Sequence, residues 1–254
     1  MTQAPTDVSR GAPAPVDGQD TEFWRSHTQI SLQPVAAPSI LGLYGFAAAT
    51  FMVAGNLAGL YGNRLTPLVL FPLAAIAGGL AQFLAGMWSY RARDGVATAM
   101  HGIWGSFWLA YGLFWFLVAV RAFPLAFTST RLVQLGFGYW FIVLGAITWV
   151  GAIAALAKNI ALSLVLFTLA AGATILALAW VVPYSLGVQQ AAGWVILASA
   201  VIAFYTASAL MLEGSFRVPL LPVGHLGRRA GPRRMHLQPI QYELGGEPGV
   251  KAGQ

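Results

Sequence analysis

The chain has no cysteine, which excludes disulfide bridges, thiol catalysis and cysteine-ligated zinc or iron–sulfur centres. It is also poor in charge. Only 9% of its 254 residues are Asp, Glu, Lys or Arg, against roughly 25% in a soluble domain, so most of the chain cannot face water. The shortage is sharpest for acids. Of the eight, Asp7, Asp17, Asp20 and Glu22 lie towards the N-terminus and Glu243 and Glu247 towards the C-terminus. Only Asp94 and Glu213 lie between them, each at the edge of an apolar stretch. No apolar run holds an acid pair, a Ser–base pair or a cluster of metal ligands, and His27, His101, His225 and His236 are scattered. The machinery of an intramembrane hydrolase or a metal centre is therefore missing, as is a glycine-rich phosphate loop for ATP. These absences predict a non-enzyme with neither cofactor nor metal. The net charge of +6 does not point to nucleic acid either, because the basic residues are spread over short loops and a tail.

What is abundant is hydrophobic length. Hydrophobic residues make up 57% of the chain, and six runs are long enough to cross about 30 Å of hydrocarbon, at roughly 20 residues each. They cover about Ser39 to Tyr61, Thr66 to Trp88, Ala97 to Val120, Gln134 to Leu156, Asn159 to Val182 and Ala191 to Leu212. None contains Asp, Glu, Lys or Arg, as expected where a central charge costs about 2.5–3.5 kcal/mol even on the insertion scale. Backbone groups in hydrocarbon must pair internally, so the runs are helices. The alternation of a transmembrane barrel, in segments of about ten residues, is absent. The expected fold is an all-α membrane protein of six transmembrane helices. Residues 1–36 read as a disordered cytoplasmic tail, 37–224 as the transmembrane domain and 225–254 as a disordered basic tail.

Lysine and arginine assign the sides. Six spans put both tails on one face, together with Arg91, Arg93, Lys158 and Arg217; Arg64, Arg121 and Arg131 share the other. The positive-inside bias makes both termini cytoplasmic in a plasma or inner membrane and puts the loop from Arg121 to Val133 outside. Arg228, Arg229, Arg233 and Arg234, close after the last span, suit either anionic headgroups of the bilayer or a plain stop-transfer tail.

Small residues are ordered along the first two spans. Gly42, Gly45, Ala49, Met52 and Asn56 share one face of the first, and Ala75, Gly79, Gln82 and Gly86 one face of the second. Such faces let helices approach closely, and there are more of them than a single bundle needs, which predicts association of copies. Gln82, deep in its span, faces protein or a watery path, because an unpaired amide in hydrocarbon costs several kcal/mol. Asn56 fits helix packing or the same path. His101 reads as a satisfied interfacial histidine. Trp104, Trp108 and Trp115 form a stripe that marks packing, lipid contact or, with Gly102, Gly105 and Ser106 beside Trp104, a constriction.

Five ordered motifs carry a family resemblance. They are Leu41-Gly42-Leu43-Tyr44-Gly45-Phe46, the run from Gly78 to Gly86, Gly105-Ser106-Phe107-Trp108, Asn159-Ile160-Ala161-Leu162 and Leu221-Pro222-Val223-Gly224. Over about Ala37 to Gly224 the chain resembles the acetate uptake transporters, the YaaH-type acetate/succinate transporter family. A faint echo of the first motif at Leu135-Gly136-Phe137-Gly138-Tyr139-Trp140 suggests two three-helix halves. The resemblance implies a pore-containing six-helix protomer, a homo-hexamer, and passage of acetate, in some members succinate, often proton-linked. It also implies a narrow point at Phe46, Trp104 and Leu169; the polar candidates for the pore, read from the residues themselves, are Gln82, Ser106, Asn56 and Tyr44. The chain departs from the family in two places. The usual Asn-Pro-Ala-Pro before Leu41 reads Ala37-Pro38-Ser39-Ile40, and the second aromatic, usually tyrosine, is Trp104. The latter removes a hydroxyl and adds bulk, which points to a shifted substrate range. The absence of any cation in the spans suits a rival function, a channel for urea, short amides or ammonia.

Overall fold

A computed structural model describes residues 36–183 and 185–225; the predicted tails and the Arg228–Arg234 cluster lie outside the described residues. Among the described residues, six helices are long and apolar enough to cross a membrane. They are α1 (Pro38–Leu57), α2 (Thr66–Arg91), α3 (Gly95–Ala119), α4 (Arg131–Ala155), α5 (Ile160–Val181) and α6 (Leu186–Phe216). Among the described residues there is no strand, and the α3–α4 loop carries a short 3₁₀ turn at Leu125–Ser129. The protein is a multi-pass, all-helical membrane protein. Large apolar side chains such as Val69, Leu113, Trp88, Val150 and Phe204 stand on its outer surface, where lipid rather than water is their neighbour.

Local chemistry sets the helix ends. Pro38 opens α1 at a position where its missing N–H costs nothing. Asp94 caps α3 by accepting from the Ala97 N–H at 2.9 Å, and Asn159 caps α5 through the Leu162 N–H at 2.7 Å. The α1–α2 turn needs Gly62, at φ +90°, because a side chain there would be strained and would strike Thr66 and Asn56. Helix α6 runs well beyond the predicted Ala191–Leu212 at both ends, since hydropathy marks the bilayer and not where hydrogen bonding stops.

The second helix is not the regular α-helix its spacing suggests. Pro72 lies inside it, and the stretch Ala74–Ala81 is wound as a π-helix, whose backbone bonds reach one residue further along the chain. Gly79, Gln82 and Gly86 still share the buried face, with Ala74 fully buried and Ala75 half-buried. Gly45 of α1 sits directly over the Ala77 carbonyl, where a Cβ would not fit.

Helices α1, α2 and α3 pack on one another, α5 packs on α4 and on α6, and α6 returns onto α1 about as broadly as onto α5. The α3–α4 seam is thinner. The glycine faces of α1 and α2 are spent inside this bundle. Gly42 meets His101, Gly79 meets Leu109, and Gly86 meets the Gly102 backbone. Close packing within one chain accounts for those residues, so they carry no argument about association of copies.

Helix α5 is fixed at both ends. The N–H groups of Ile160 and Ala161 donate to the carbonyls of Gly224 (3.0 Å) and Val223 (2.9 Å), and the Tyr205 hydroxyl holds the same strap at the Pro222 carbonyl, 2.8 Å away. At the other end the Arg131 guanidinium donates to the carbonyls of Trp180 (2.6 Å), Val181 and Val182 (3.2 Å). Orphan groups that every helix terminus leaves are met at both ends. The Asn159–Leu162 and Leu221–Gly224 motifs, about sixty residues apart in sequence, are thus neighbours in space.

Candidate functional site

Three cavities follow one another along the same helices. The first, about 30 Å³, is lined by Ser39, Leu43 and Phe46 of α1, Gln82 of α2, Val96 to Trp104 of α3 and Leu162 to Leu169 of α5. The second, also about 30 Å³, is lined by Thr50 to Leu57, Trp104 to Trp108, Phe141, Leu169, Leu176 and Ile196. The third, about 240 Å³, takes in Val53 to Leu57, Phe107 to Trp115, Phe137, Phe141, Leu176, Trp180 and Gln189 and reaches Thr128 in the α3–α4 loop. On α1, α3 and α5 alike the lining residues advance in step, so the cavities form a file along the bundle axis. Among the described residues, none that lines these cavities is Asp, Glu, Lys or Arg.

Trp104 and Leu169 are walls common to the first and second cavities, and Phe46 borders the first beside them. All three are buried. Trp104 meets Phe46 edge-on at 6.3 Å and Phe107 at 5.5 Å between ring centroids. Its indole N–H donates to the Thr148 hydroxyl of α4 at 3.0 Å, and that hydroxyl donates to the Leu144 carbonyl at 2.6 Å. One α4 side chain therefore fixes the rotation of the tryptophan. Each small cavity has room for about one or two water molecules, so a four-heavy-atom solute passes Trp104 only if side chains move.

Phe107, Phe141 and Leu176 are shared by the second and third cavities and make a second narrowing that sequence reasoning missed. Phe107 and Phe141 lie edge-on at 5.3 Å, and Phe141 also meets Trp180 at 5.5 Å. The tryptophan stripe faces this file. Trp104 and Trp108 border the second cavity, and Trp115 the third.

Among the described residues, four buried polar atoms have no hydrogen-bond partner: Gln82 Oε1, His101 Nδ1, Thr50 Oγ1 and Trp108 Nε1. The first two residues line the first cavity and the last two line the second, so the unspent polarity sits on both flanks of Trp104 and Leu169. Each such atom costs roughly 1–3 kcal/mol when left unpaired. His101 is not the satisfied interfacial residue expected from its place near a span end. It is buried, packed on Gly42, and one of its nitrogens is unpaired.

The other candidates lie elsewhere. Asn56 lines the third cavity while its amide donates to the Tyr61 carbonyl at 2.9 Å. The Tyr44 hydroxyl shares a hydrogen bond with Ser208 at 2.9 Å in the α1–α6 contact, and it borders none of the three cavities. Ser106 donates to the Gly102 carbonyl at 2.8 Å and lines a separate groove between α2 and α3. On a helix, two residues differ by about 200°, so neither Ser106 nor Tyr44 can share a face with Trp104 or Phe46. At one end of the bundle, Lys158 and Asp94 form an ion pair at 2.5 Å that ties the α4–α5 turn to the cap of α3.

A bundle of six apolar helices with a file of cavities through it belongs to the class of membrane channels and transporters. The GPR1/FUN34/yaaH family model matches residues 21–227, and the chain belongs to that family. Among solved structures, the bacterial acetate channel SatP superposes with a TM-score of 0.67 at 22% identity, covering 75% of this chain and 100% of that one; this likeness is one of fold. The meiotically up-regulated gene 86 protein of Schizosaccharomyces pombe is 36% identical over 74 residues, 29% of this chain. That match spans about a quarter of the yeast protein, 24% of its length.

Proposed function

We propose that the protein passes small carboxylates across the membrane, with the monocarboxylate acetate as the first candidate and the dicarboxylate succinate as a further one. The observation that carries this reading is the file of three cavities interrupted at Phe46, Trp104 and Leu169, with unpaired polar atoms on both flanks. Family membership and a fold shared with an acetate channel support it. Stripping a carboxylate of water without compensation is very costly. The route therefore either keeps the anion partly hydrated, with Gln82, Thr50 and neighbouring groups replacing lost water, or passes the neutral acid, which amounts to proton linkage. The apolar ring then acts as a barrier whose height depends on width and wetting. Ser106 and Tyr44 have no part in this route.

A neutral-solute channel is the second reading, favoured by the lack of any Lys, Arg, Asp or Glu along the file. Uptake of labelled acetate and labelled urea into proteoliposomes, with and without a proton gradient, separates the two. Acetate uptake enhanced by an inward proton gradient supports proton-linked carboxylate passage. Urea uptake alone overturns the carboxylate reading.

Both termini are proposed to be cytoplasmic. A cysteine-free chain makes the test direct: single cysteines replacing His27 and Ser129 should be labelled from opposite sides of intact cells, and labelling of both from outside refutes the arrangement. The homo-hexamer is likewise proposed, on the resemblance alone. Crosslinking or native mass measurement in mild detergent should show a closed ring, and a monomer that still transports refutes the need for one.

A further inference from the structure

We propose that His101 and Gln82 form a docking station for the substrate's carboxyl group beside the Trp104 partition, an inference that rests on the carboxylate reading above. The two side chains come from different helices, α3 and α2, and line the same cavity. They are 5% and 2% exposed, and His101 Nδ1 and Gln82 Oε1 are both without a partner. Packing explains the flat ring but not the nitrogens. A Cβ on Gly42 would fall 2.5–2.6 Å from the imidazole, so the bare backbone there leaves room for a planar ring, and a phenyl ring would fill that room equally well.

The polarity is therefore what needs a ligand. Imidazole offers a donor and an acceptor, and a primary amide offers both as well. A carboxylic acid presents one donor and one acceptor on adjacent oxygens, so its O–H can donate to Gln82 Oε1 while its carbonyl oxygen accepts from the imidazole N–H. A carboxylate, an acceptor only, can pair with the imidazole N–H but leaves Gln82 Oε1 unmet, so the station favours the neutral acid. No fixed charge competes for the group. The residues facing His101 across the cavity are Ser39, Leu43 and Phe46 from α1 and Leu162, Val165 and Leu166 from α5, none of them titratable. Asp94, about two turns away at the start of α3, is held as a helix cap and paired with Lys158. A carboxyl group seated here lies directly against the Trp104 and Leu169 wall, aligned to cross it.

The test uses the full chain in proteoliposomes with labelled acetate as the probe. His101→Phe keeps the ring and removes its nitrogens. It should raise the half-saturating acetate concentration by about fivefold, the effect of roughly one net hydrogen bond, with the maximal rate changed far less. His101→Gln should restore part of the affinity, and adding Gln82→Leu to His101→Phe should cost less than the two changes separately. If His101→Phe keeps the wild-type half-saturation while Trp104→Ala alters flux, the docking station is refuted and the path survives. If neither variant changes anything, the path reading falls and the station with it. If His101→Phe does not fold, histidine labelled with ¹⁵N in the wild-type chain decides. Acetate titrated at fixed pH should shift the one imidazole signal that His101→Gln lacks, and an unmoved signal overturns the proposal.

Discussion

The two flanks of the Trp104 partition are built differently. On one side lies a cavity of about 30 Å³ walled by four helices, with an amide and an imidazole whose polar atoms are unpaired. On the other, a second small cavity opens past Phe107 and Phe141 into one of about 240 Å³, walled largely by aromatic rings. The wide aromatic side resembles a vestibule, where a solute can still carry water. The narrow side asks the protein to replace that water. On the proposed route the barrier is then a plane at Trp104 with unequal approaches, rather than a long uniform tube.

If the neutral acid is what crosses, pH gives the largest effect. For an acid of pKa about 4.5 the protonated fraction rises roughly 75-fold between pH 7 and pH 5, so initial uptake at fixed total acetate should climb steeply as pH falls. A rate that stays flat over that range means the anion crosses in hydrated form. Gln82→Leu sharpens the contrast between the flanks. It should lower acetate flux about tenfold, equivalent to roughly 1.4 kcal/mol in the barrier, while leaving the thermal midpoint unchanged or higher, because it removes an unpaired buried oxygen. Lower flux together with a lower midpoint would indicate structural damage instead. On the aromatic side, Phe107→Ala should change flux by only about two- to threefold, since Trp104 still sets the barrier. A larger effect would move the principal barrier to the second narrowing.

A smaller expectation concerns the frame that holds Leu169 in place. Arg131→Ala removes charge-assisted bonds to three carbonyls at the end of α5. Because the site is exposed, a loss of about 1–2 kcal/mol is expected in detergent unfolding, with acetate selectivity unchanged. A change of selectivity without loss of stability would place Arg131 in the path instead of the frame.

The six spans were legible because nothing competes with the signal: no charged residue interrupts any of them. The faces of the helices were less so. Gly79, Gln82 and Gly86 could be put on one face from spacing, but the π-helical winding of Ala74–Ala81, which includes Gly79, could not be foreseen, since an i→i+5 backbone bond leaves no mark in hydropathy. Ser106 and Tyr44 stand two residues from Trp104 and Phe46, a spacing of about 200° that puts them on other faces of their helices. His101 was missed for a different reason. A lone histidine near a span end has an ordinary explanation, and only its packing on Gly42 beside Gln82 changes the reading. Thr148 and the strap at Val223 and Gly224 act across 44 and more than 60 residues of sequence, a range that no local pattern reaches.

The central claim is that Trp104 closes a path used by small carboxylates, and Trp104→Ala tests it most directly. Proteoliposomes carrying this variant should take up acetate faster than wild type or admit three- and four-carbon acids that wild type excludes, with both proteins folded to the same helical content. Unchanged rate and unchanged size selectivity would contradict the account.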